Sequence, residues 1–334
     1  MLTLKPHQLL FYTTLLIGIL VAVSSSSWFI LWMGLELNLM SFIPIMTSSN
    51  NRYSAESALK YFLIQALGSA SLLAASPLSM IFHQTALLII FIALLLKVGA
   101  APLHFWFPPV MQGISWLQSL TLMTVQKIAP ISMMSMLISN LTTPVIMTSS
   151  IFSAIVGGIG GLNQTLTRKI MSYSSINHMA WLLSAISFNE SLWLIYFSSY
   201  TLISSSVVMI LYYNQIFHIN QLLTTNLSSK PLKLSLLSSL LSLGGLPPLL
   251  GFLPKMMVIQ EFITAGASLI WLSILLFSAL LTLFFYLRMT LSSLTLSSPK
   301  MKTNLTSSSA RFMLSLSFIN LTPLLYPFIL MVIY

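Results

Sequence analysis

Residues 84–112 read QTALLIIFIALLLKVGAAPLHFWFPPVMQ, an apolar stretch with a single charged residue, Lys97. About 20 apolar residues are enough for a helix to cross a bilayer, so this segment is too long for one plain helix. Gly99 and Pro102 follow Lys97 within five residues; glycine lowers helix propensity and proline removes an amide donor. The stretch therefore predicts a transmembrane helix that breaks near its middle, with a lysine beside the break.

The composition of the whole chain agrees with a membrane protein. Of its 334 residues, 57% are apolar and only 5% are charged, and the mean hydropathy is +0.93. Soluble domains contain about 25% charged residues, and disordered chains combine low hydrophobicity with high net charge. Both classes are excluded, and the predicted fold class is an all-α polytopic membrane protein.

Apolar runs separated by short polar segments predict eleven transmembrane helices. We place these helices near residues 8–23, 27–47, 57–81, 84–112, 116–139, 144–163, 170–187, 191–217, 234–266, 268–290 and 312–333. The spans leave no room for a soluble domain, so residues 1–334 are expected to form a single transmembrane domain. Gly157 and Gly161, in the sixth span, have the spacing of a close helix contact.

The ninth span contains a second break, at Gly244-Gly245-Leu246-Pro247-Pro248, which is followed by Gly251, Pro254 and Lys255. A kinked helix that faces lipid is one explanation of each break, but the neighbouring lysines favour a polar cavity. The broken spans lie five helices apart, which is the pattern of an antiporter-like fold built from two inverted repeats. The predicted parts are a first repeat of helices 1–5 (residues 8–139), a second repeat of helices 6–10 (144–290) and an extra C-terminal helix (312–333).

The distribution of basic residues supports the helix count. With eleven spans, eleven of the fourteen Lys and Arg residues fall on the side of the N-terminus, and the opposite loops contain none. By the positive-inside rule, the N-terminus faces the cytoplasm-like compartment and the C-terminus faces the other side. This distribution explains the formal net charge of +10, so no nucleic-acid partner is expected.

Five charged residues lie inside predicted spans: Glu36, Lys97, Lys127, Lys255 and Glu261. A charged lysine at a helix centre costs about 2.5–3.5 kcal/mol, so these lysines are expected to face a hydrated interior, pair with carboxylates or lose protons. A lysine whose carboxylate partner approaches or leaves is a switchable proton carrier, and Glu36 is a natural partner for Lys97 or a neighbour. Glu261 is expected nearer the interface. The alternative is that the lysines snorkel to the membrane surface, but Lys127 lies near the middle of its span.

The sequence offers few ligands for a cofactor. Cysteine is absent, which excludes thiolate nucleophiles and iron–sulfur or zinc–thiolate sites in this chain. The five histidines contain no pair at helical metal-ligand spacing, and no phosphate-binding glycine loop is present. No cofactor or metal is therefore expected. For His178 and His104 two interpretations remain open, a proton relay and a hydrogen-bonded core residue.

Several segments resemble one known family, the antiporter-like membrane subunits of the proton-pumping NADH–ubiquinone oxidoreductase (respiratory complex I) of animal mitochondria. They follow one another in the family's order over almost the whole chain. The segments are Trp32-Met33-Gly34-Leu35-Glu36-Leu37-Asn38, Phe42-Ile43-Pro44, Lys97-Val98-Gly99-Ala100-Ala101-Pro102-Leu103-His104-Phe105-Trp106, Gln126-Lys127-Ile128-Ala129-Pro130, Gly160-Gly161-Leu162-Asn163-Gln164-Thr165, Arg168-Lys169-Ile170, Tyr173-Ser174-Ser175-Ile176-Asn177-His178-Met179, Leu243-Gly244-Gly245-Leu246-Pro247-Pro248 and Gly251-Phe252-Leu253-Pro254-Lys255.

The resemblance implies proton translocation without redox chemistry in this chain. The family's glutamate of the second helix falls on Glu36, its first broken-helix lysine on Lys97, its central lysine on Lys127 and its second broken-helix lysine on Lys255. Changes in the Glu36–Lys97 pair would then drive protons through Lys127 and Lys255. One departure concerns Pro109, because relatives commonly carry an acid in the short stretch after His-Phe-Trp, and proline cannot take its place in proton uptake or release.

The resemblance also implies the partners, the cofactors of those partners and the location of the chain. The partners would be other membrane-arm subunits of complex I, including neighbouring antiporter-like subunits and small core membrane subunits, together with accessory subunits and lipids. NADH, FMN, iron–sulfur clusters and ubiquinone would bind to those partner subunits. The location would be the mitochondrial inner membrane, with the N-terminus on the matrix side and the C-terminus on the intermembrane-space side.

Two other functions stay open at this point. A stand-alone cation/proton antiporter of the same fold would exchange sodium or potassium for protons. A non-pumping structural spacer of the membrane arm would use its buried charges only for packing. Replacement of Lys127 separates pump from spacer, because a pump variant would assemble but lose proton transfer.

Overall fold

A computed structural model describes residues 6–48, 51–224, 230–247 and 249–295 of the chain. Within these ranges the regular elements are helices. They are α1 (Pro6–Ser24), α2 (Trp28–Thr47), α3 (Arg52–Leu78), α4 (His83–Val98), α5 (Phe107–Gly113), α6 (Trp116–Met123), α7 (Val125–Met136), α8 (Thr143–Leu162), α9 (Thr167–Phe188), α10 (Glu190–Tyr213), α11 (Ile219–Thr224), α12 (Lys230–Gly244), α13 (Phe252–Thr264) and α14 (Leu269–Thr295). The predicted extra helix, 312–333, lies outside the described residues.

Six helices in the described ranges are long and apolar enough to cross a membrane by themselves: α1, α2, α3, α8, α10 and α14. The remaining predicted spans are either shorter or divided. The breaks predicted in the fourth and ninth spans are present, since α4 ends before Gly99 and α5 begins at Phe107, while α12 ends at Gly244 and α13 begins at Phe252.

The fifth span is also divided, which the sequence analysis did not predict. Thr124 separates α6 from α7, with φ −115° and ψ −76°, so that residues 116–139 do not form the single helix expected. Helix α7 continues through Pro130, six residues beyond Thr124, so the amide that this proline lacks does not cause the interruption. Lys127 consequently lies in the first turn of a helix instead of at the centre of one.

The described residues form two compact units, one before and one after the boundary between Ser149 and Ser150 inside α8. In the first unit, α1 and α2 cross at very short range through two glycines. A Cβ atom on Gly34 would lie 2.7 Å from the backbone nitrogen of Ala22, and one on Gly18 would lie 3.0 Å from the carbonyl oxygen of Gly34. Helix α3 then packs between α2 and α4, and α7 packs against α4 and α1.

Contacts at one end of the first unit agree with the predicted alternation of helix directions. The side chain of Gln118, at the start of α6, donates to the carbonyl of Ile45 and to the hydroxyl of Ser48, at the end of α2. Gly113, at the end of α5, lies against Tyr53 at the start of α3. The ends of the second and fourth spans therefore meet the starts of the third and fifth spans.

The second unit is built around α9, which is buried along almost its whole length. Helices α10, α13 and α14 pack against it. Helix α8 also packs closely against α9, since a Cβ on Gly157 would lie 2.6 Å from the backbone nitrogen of Asn177. A Cβ on Gly161 would likewise lie 2.6 Å from the ring of Phe285 on α14. The close helix contact predicted from the spacing of Gly157 and Gly161 is thus confirmed.

Polar connections at one end of the second unit also fit the alternation. The amide of Thr167 donates to the carbonyl of Phe217, and the amide of Ile219 donates to that of Thr165. The guanidinium of Arg288 donates to the carbonyls of Leu162 and Gln164, each at 2.7 Å. Arg288 therefore satisfies free carbonyls at the C-terminal end of α8, where a positive charge also suits the helix dipole.

Candidate functional site

Lys97 lies in the last turn of α4 and is 7% exposed. The helix ends because Gly99 adopts a left-handed conformation, with φ +77°, which glycine accepts without steric cost. The amides of Gly99 and Ala100 donate back to the carbonyl of Leu95 at 3.0 and 3.2 Å. This arrangement stops α4 directly after the lysine and holds the lysine backbone in place.

Side chains satisfy the carbonyls that the break leaves free. The indole nitrogen of Trp106 donates to the carbonyl of Leu96, and the amide of Gln65 donates to the carbonyl of Lys97, both at 3.1 Å. The stem of Lys97 lies against Gly68 of α3, where a Cβ atom would come within 3.1 Å of the lysine Cγ. The break is thus a fixed structure in which the backbone at Lys97 is held by α3 and by the segment between α4 and α5.

Lys127 lies in the first turn of α7 and is 3% exposed. Its Nζ lies 5.1 Å from the centre of the Phe107 ring, a distance at which a cation is attracted to an aromatic face. Lys97 and Lys127 both line one cavity of about 20 Å³. The structure therefore brings together two of the lysines that the sequence analysis singled out.

The other side chains around this cavity are a mixture of polar and apolar groups. They belong to Leu35, Asn38, Leu39, Tyr61, Gln65, Val98, Trp106, Phe107, Leu122, Gln126 and Pro130. The sequence does not single out the polar members Asn38, Tyr61, Gln65 and Gln126. Asn38, Gln65 and Gln126 are amide side chains inside apolar spans, which marks them as polar groups in the membrane but does not show that they meet at one cavity.

Glu36 lies on α2, on the turn that supplies Leu35 and Asn38 to the cavity, but it does not line the cavity. Within the described ranges no ion pair of 4.0 Å or less joins Glu36 to Lys97. The Oε2 atom of Glu36 is buried and makes no hydrogen bond to the described part of the chain. Glu36 is thus a neighbour of the lysine and is not in contact with it.

Lys255 lies in the second unit, in the first turn of α13, and is 7% exposed. Its Nζ donates to the carbonyl of Gly244, the last residue of α12, at 2.9 Å, and lies 5.9 Å from the centre of the Trp181 ring. Gly245 has φ +80°, and a Cβ atom there would lie 2.9 Å from the lysine Nζ. The lysine therefore fills the gap that the break opens in the ninth span.

Both histidines named as possible relays are buried. The Nδ1 atom of His178 lies 3.0 Å from the hydroxyl of Tyr196, and its ring lies 5.0 Å from that of Tyr200. His104 lies in the linker between α4 and α5, next to the ring of Phe105, and does not line the cavity. Pro109 is exposed on α5, and Glu261 is half-buried on α13. In the described residues no three His, Asp or Glu side chains are placed to hold a metal ion.

The sequence matches a known family over most of its length. The profile described as "NADH:quinone oxidoreductase/Mrp antiporter, TM" matches residues 25–88 and 78–282. A protein of Anopheles gambiae named NADH-ubiquinone oxidoreductase chain 2 is 46% identical over 297 residues, which cover 86% of each chain. The chain belongs to the NADH-ubiquinone oxidoreductase chain 2 family. Another chain 2 protein, from Aedes aegypti, is 42% identical over 86% of each sequence.

Solved structures show that the chain 2 fold recurs in other membrane complexes. A chain of respiratory complex I from Thermus thermophilus has a TM-score of 0.86 at 23% identity, covering 97% of this chain and 79% of that one. A chain of the Mrp complex from Dietzia sp. DQ12-45-1b has a TM-score of 0.83 at 14% identity, covering 96% and 75%. The antiporter-like fold predicted from the breaks is therefore confirmed.

Proposed function

We propose that this chain is a proton-translocating membrane subunit of an NADH–ubiquinone oxidoreductase, respiratory complex I. Oxidation of NADH and reduction of ubiquinone would take place on partner subunits that hold FMN and the iron–sulfur clusters. The observation that carries the proposal is a pair of buried lysines, Lys97 and Lys127, at one small cavity in a member of the chain 2 family.

The chemistry of the cavity suits proton transfer between amines. Two like charges beside one buried cavity disfavour simultaneous ionisation, so one proton shared by two amines is more stable than two. A carboxylate near a lysine favours the charged amine, and Glu36 lies on the turn of α2 that supplies Leu35 and Asn38 to the cavity, so a change in the position of Glu36 would change where the proton resides. A movement elsewhere in the complex that displaces Glu36 would therefore move a proton from Lys97 to Lys127.

Lys255 would serve as the proton carrier of the second unit. The Gly244 carbonyl accepts a hydrogen bond from the Lys255 Nζ, which either the ammonium or the neutral amine can donate. The face of the Trp181 ring lies nearby and would attract the charged form. His178 and Tyr196 lie at hydrogen-bond distance in the same unit and would relay protons there. His104 is the weaker candidate for a relay because it lies away from the cavity.

The two breaks support an origin as inverted repeats. In α4 the amides of Gly99 and Ala100 donate to the carbonyl of Leu95. In α12 the amides of Gly245 and Leu246 donate in the same way to the carbonyl of Leu241. The two caps therefore share one geometry, as expected of helices 1–5 and 6–10 as repeats in an eleven-helix chain.

The location and partners of the chain are inferred from its family. We infer a multi-pass position in the mitochondrial inner membrane, with the N-terminus on the matrix side. The partners would be neighbouring antiporter-like and small core subunits of the membrane arm, accessory subunits and lipids. This orientation agrees with the concentration of basic residues on the N-terminal side.

Native electrophoresis tests membership of the complex. Membranes are solubilised mildly, complexes are separated on a native gel and stained for NADH oxidation, and this chain is identified by mass spectrometry. We expect the chain in the NADH-oxidising band. Migration only as a small independent species would overturn the proposal and favour a stand-alone cation/proton antiporter.

A further inference from the structure

The cavity between Lys97 and Lys127 has polar atoms that no group in the described part of the chain satisfies. The Oδ1 atom of Asn38 and the Nε2 atom of Gln126 are both buried and without a hydrogen-bond partner there. Asn38 is 4% exposed, and both residues line the cavity. A buried polar atom without a partner is destabilising, so an acceptor and a donor left unpaired at one cavity indicate a ligand that can both donate and accept.

The orientation of Gln126 is set by a neighbour. The hydroxyl of Tyr61 donates to Oε1 of Gln126 at 3.3 Å, which leaves the Nε2 donor of the same amide for the cavity. Tyr61 lies on α3 and is held in turn by ring contacts, 5.3 Å from Phe42 and 5.8 Å from Trp106 between ring centres. The Tyr61 hydroxyl therefore fixes the orientation of the Gln126 amide.

The volume of the cavity limits which ligand it can hold. Its volume of about 20 Å³ fits one water molecule, which needs roughly 10–15 Å³ on this measure, and is too small for a hydrated cation. We propose that one water molecule binds in this cavity between Gln126 Nε2 and Asn38 Oδ1, and that Gln126 is the positioning residue for proton transfer through that water between Lys97 and Lys127. The inference rests on the proposed proton-translocating function.

The transfer balances with a single water. The ammonium of one lysine gives a proton to the water oxygen, and the water gives one of its own protons to the neutral amine of the other lysine. The water is regenerated, and one proton has moved. Gln126 Nε2 donates to the water oxygen and Asn38 Oδ1 accepts one of its hydrogens, so the amides fix the position of the water without exchanging a proton themselves.

Variants of Gln126 and Tyr61 in the assembled complex test the inference. Gln126→Leu removes the donor at nearly constant volume, and Tyr61→Phe removes the hydroxyl that orients it. Because one lost hydrogen bond lowers retention of the water by about a factor of ten, we expect Gln126→Leu to lower NADH-driven proton translocation about tenfold, and Tyr61→Phe to lower it by less. Ser132→Ala is the matched control, since Ser132 is buried on the same helix, donates to Ala129 and does not line the cavity.

Three readouts distinguish the possible results. Proton translocation per NADH is measured in vesicles, assembly is checked on native gels, and a high-resolution map of the unmodified complex is examined for a water about 2.7–3.2 Å from Gln126 Nε2. No water there, or normal translocation by assembled Gln126→Leu, overturns the inference. If assembled Lys127→Met also translocates normally, the proposed function itself fails; if only Lys127→Met is impaired, the role of Gln126 alone is refuted.

Discussion

Three buried lysines of the chain occupy different positions relative to helix ends. Lys97 lies in the last turn of α4, where the helix dipole favours positive charge, whereas Lys127 lies in the first turn of α7, where it does not. Lys255 lies in the first turn of α13, and its Nζ donates back to the carbonyl of Gly244, the last residue of α12. The helix dipole therefore favours a proton on Lys97, whereas a proton on Lys127 has no such support from its helix end.

Replacement of Lys255 tests whether its hydrogen bond holds the second break together. Lys255→Met leaves the buried Gly244 carbonyl without the donor that it has in the structure, which costs about 1–3 kcal/mol. We expect a lower midpoint of thermal dissociation of the complex together with reduced proton translocation. Lys60→Met is the control, because the Lys60–Glu56 pair is exposed to solvent and such surface pairs contribute little to stability. Equal stability of both variants would contradict this account of the break.

Single residues of the site could be predicted from the sequence only where they are charged. Lys97, Lys127 and Lys255 stand out in an apolar chain, and the structure buries all three, which contradicts the snorkelling alternative. Asn38, Tyr61 and Gln126 are neutral, and their meeting at one cavity depends on how α2, α3 and α7 pack. No pattern along the chain indicates that meeting.

At the scale of helices, each predicted break is closed by a glycine in the left-handed region. Gly99 has φ +77° and Gly245 has φ +80°. Glycine and proline in an apolar run made these two breaks predictable. The third interruption, at Thr124, was missed because it has no glycine, and because Pro130 lies six residues beyond it.

Gly245→Ala tests how tightly the second break encloses its lysine. The left-handed conformation costs a non-glycine residue about 1–2 kcal/mol, and here the new Cβ would also meet Lys255 at 2.9 Å. Gly266 is the matched control, with φ +62° and no neighbouring atom within 4 Å. We expect Gly245→Ala to reduce proton translocation and stability, and Gly266→Ala to reduce stability only. Unchanged translocation in an assembled Gly245→Ala complex would contradict the contact with Lys255.

The crossing of α1 and α2 yields a second prediction at this scale. An added Cβ at Gly34 would meet backbone atoms of Ala22 and Gly18 at 2.7 and 2.8 Å, so the two helices must separate in Gly34→Ala. Overpacking of this kind costs about 1–3 kcal/mol. Gly158→Ala is the control, since its closest neighbour is a flexible Leu281 side chain at 3.1 Å. We expect a lower amount of assembled complex on native gels for Gly34→Ala and a smaller effect for Gly158→Ala.

At the scale of the whole molecule, the predicted helix count makes the loops alternate between the two sides of the membrane. The lack of cysteine makes this directly measurable, because a single introduced thiol is then the only one in the chain. Asn51 and Gln215 are exposed at chain turns assigned to the N-terminal side, and Met80, 91% exposed, is at a turn assigned to the opposite side. We expect Asn51→Cys and Gln215→Cys to react with an impermeant thiol reagent from the matrix side, and Met80→Cys only from the other side. Labelling of Met80→Cys and Gln215→Cys from the same side would refute the predicted helix count.

The sequence predicted the membrane class, the positions of most spans and two of the three interruptions, because hydropathy and helix breakers act locally. The extra helix at 312–333 and the inverted repeats stay predictions. The cavity could not be predicted, since its lining comes from four separated parts of the chain: α2, α3, the α4–α5 break, and α6 with α7. Such packing depends on side-chain shape across helices, which one sequence does not display.

The most direct measurement of the central claim is the number of protons translocated per NADH oxidised by the complex with Lys127→Met. The variant keeps the length of the side chain and removes its exchangeable proton, and Lys60→Met serves as the exposed control. The account predicts an assembled, NADH-oxidising complex whose translocation per NADH is clearly below that of the control. An assembled Lys127→Met complex with an unchanged ratio would contradict a proton-carrying role for the buried lysines.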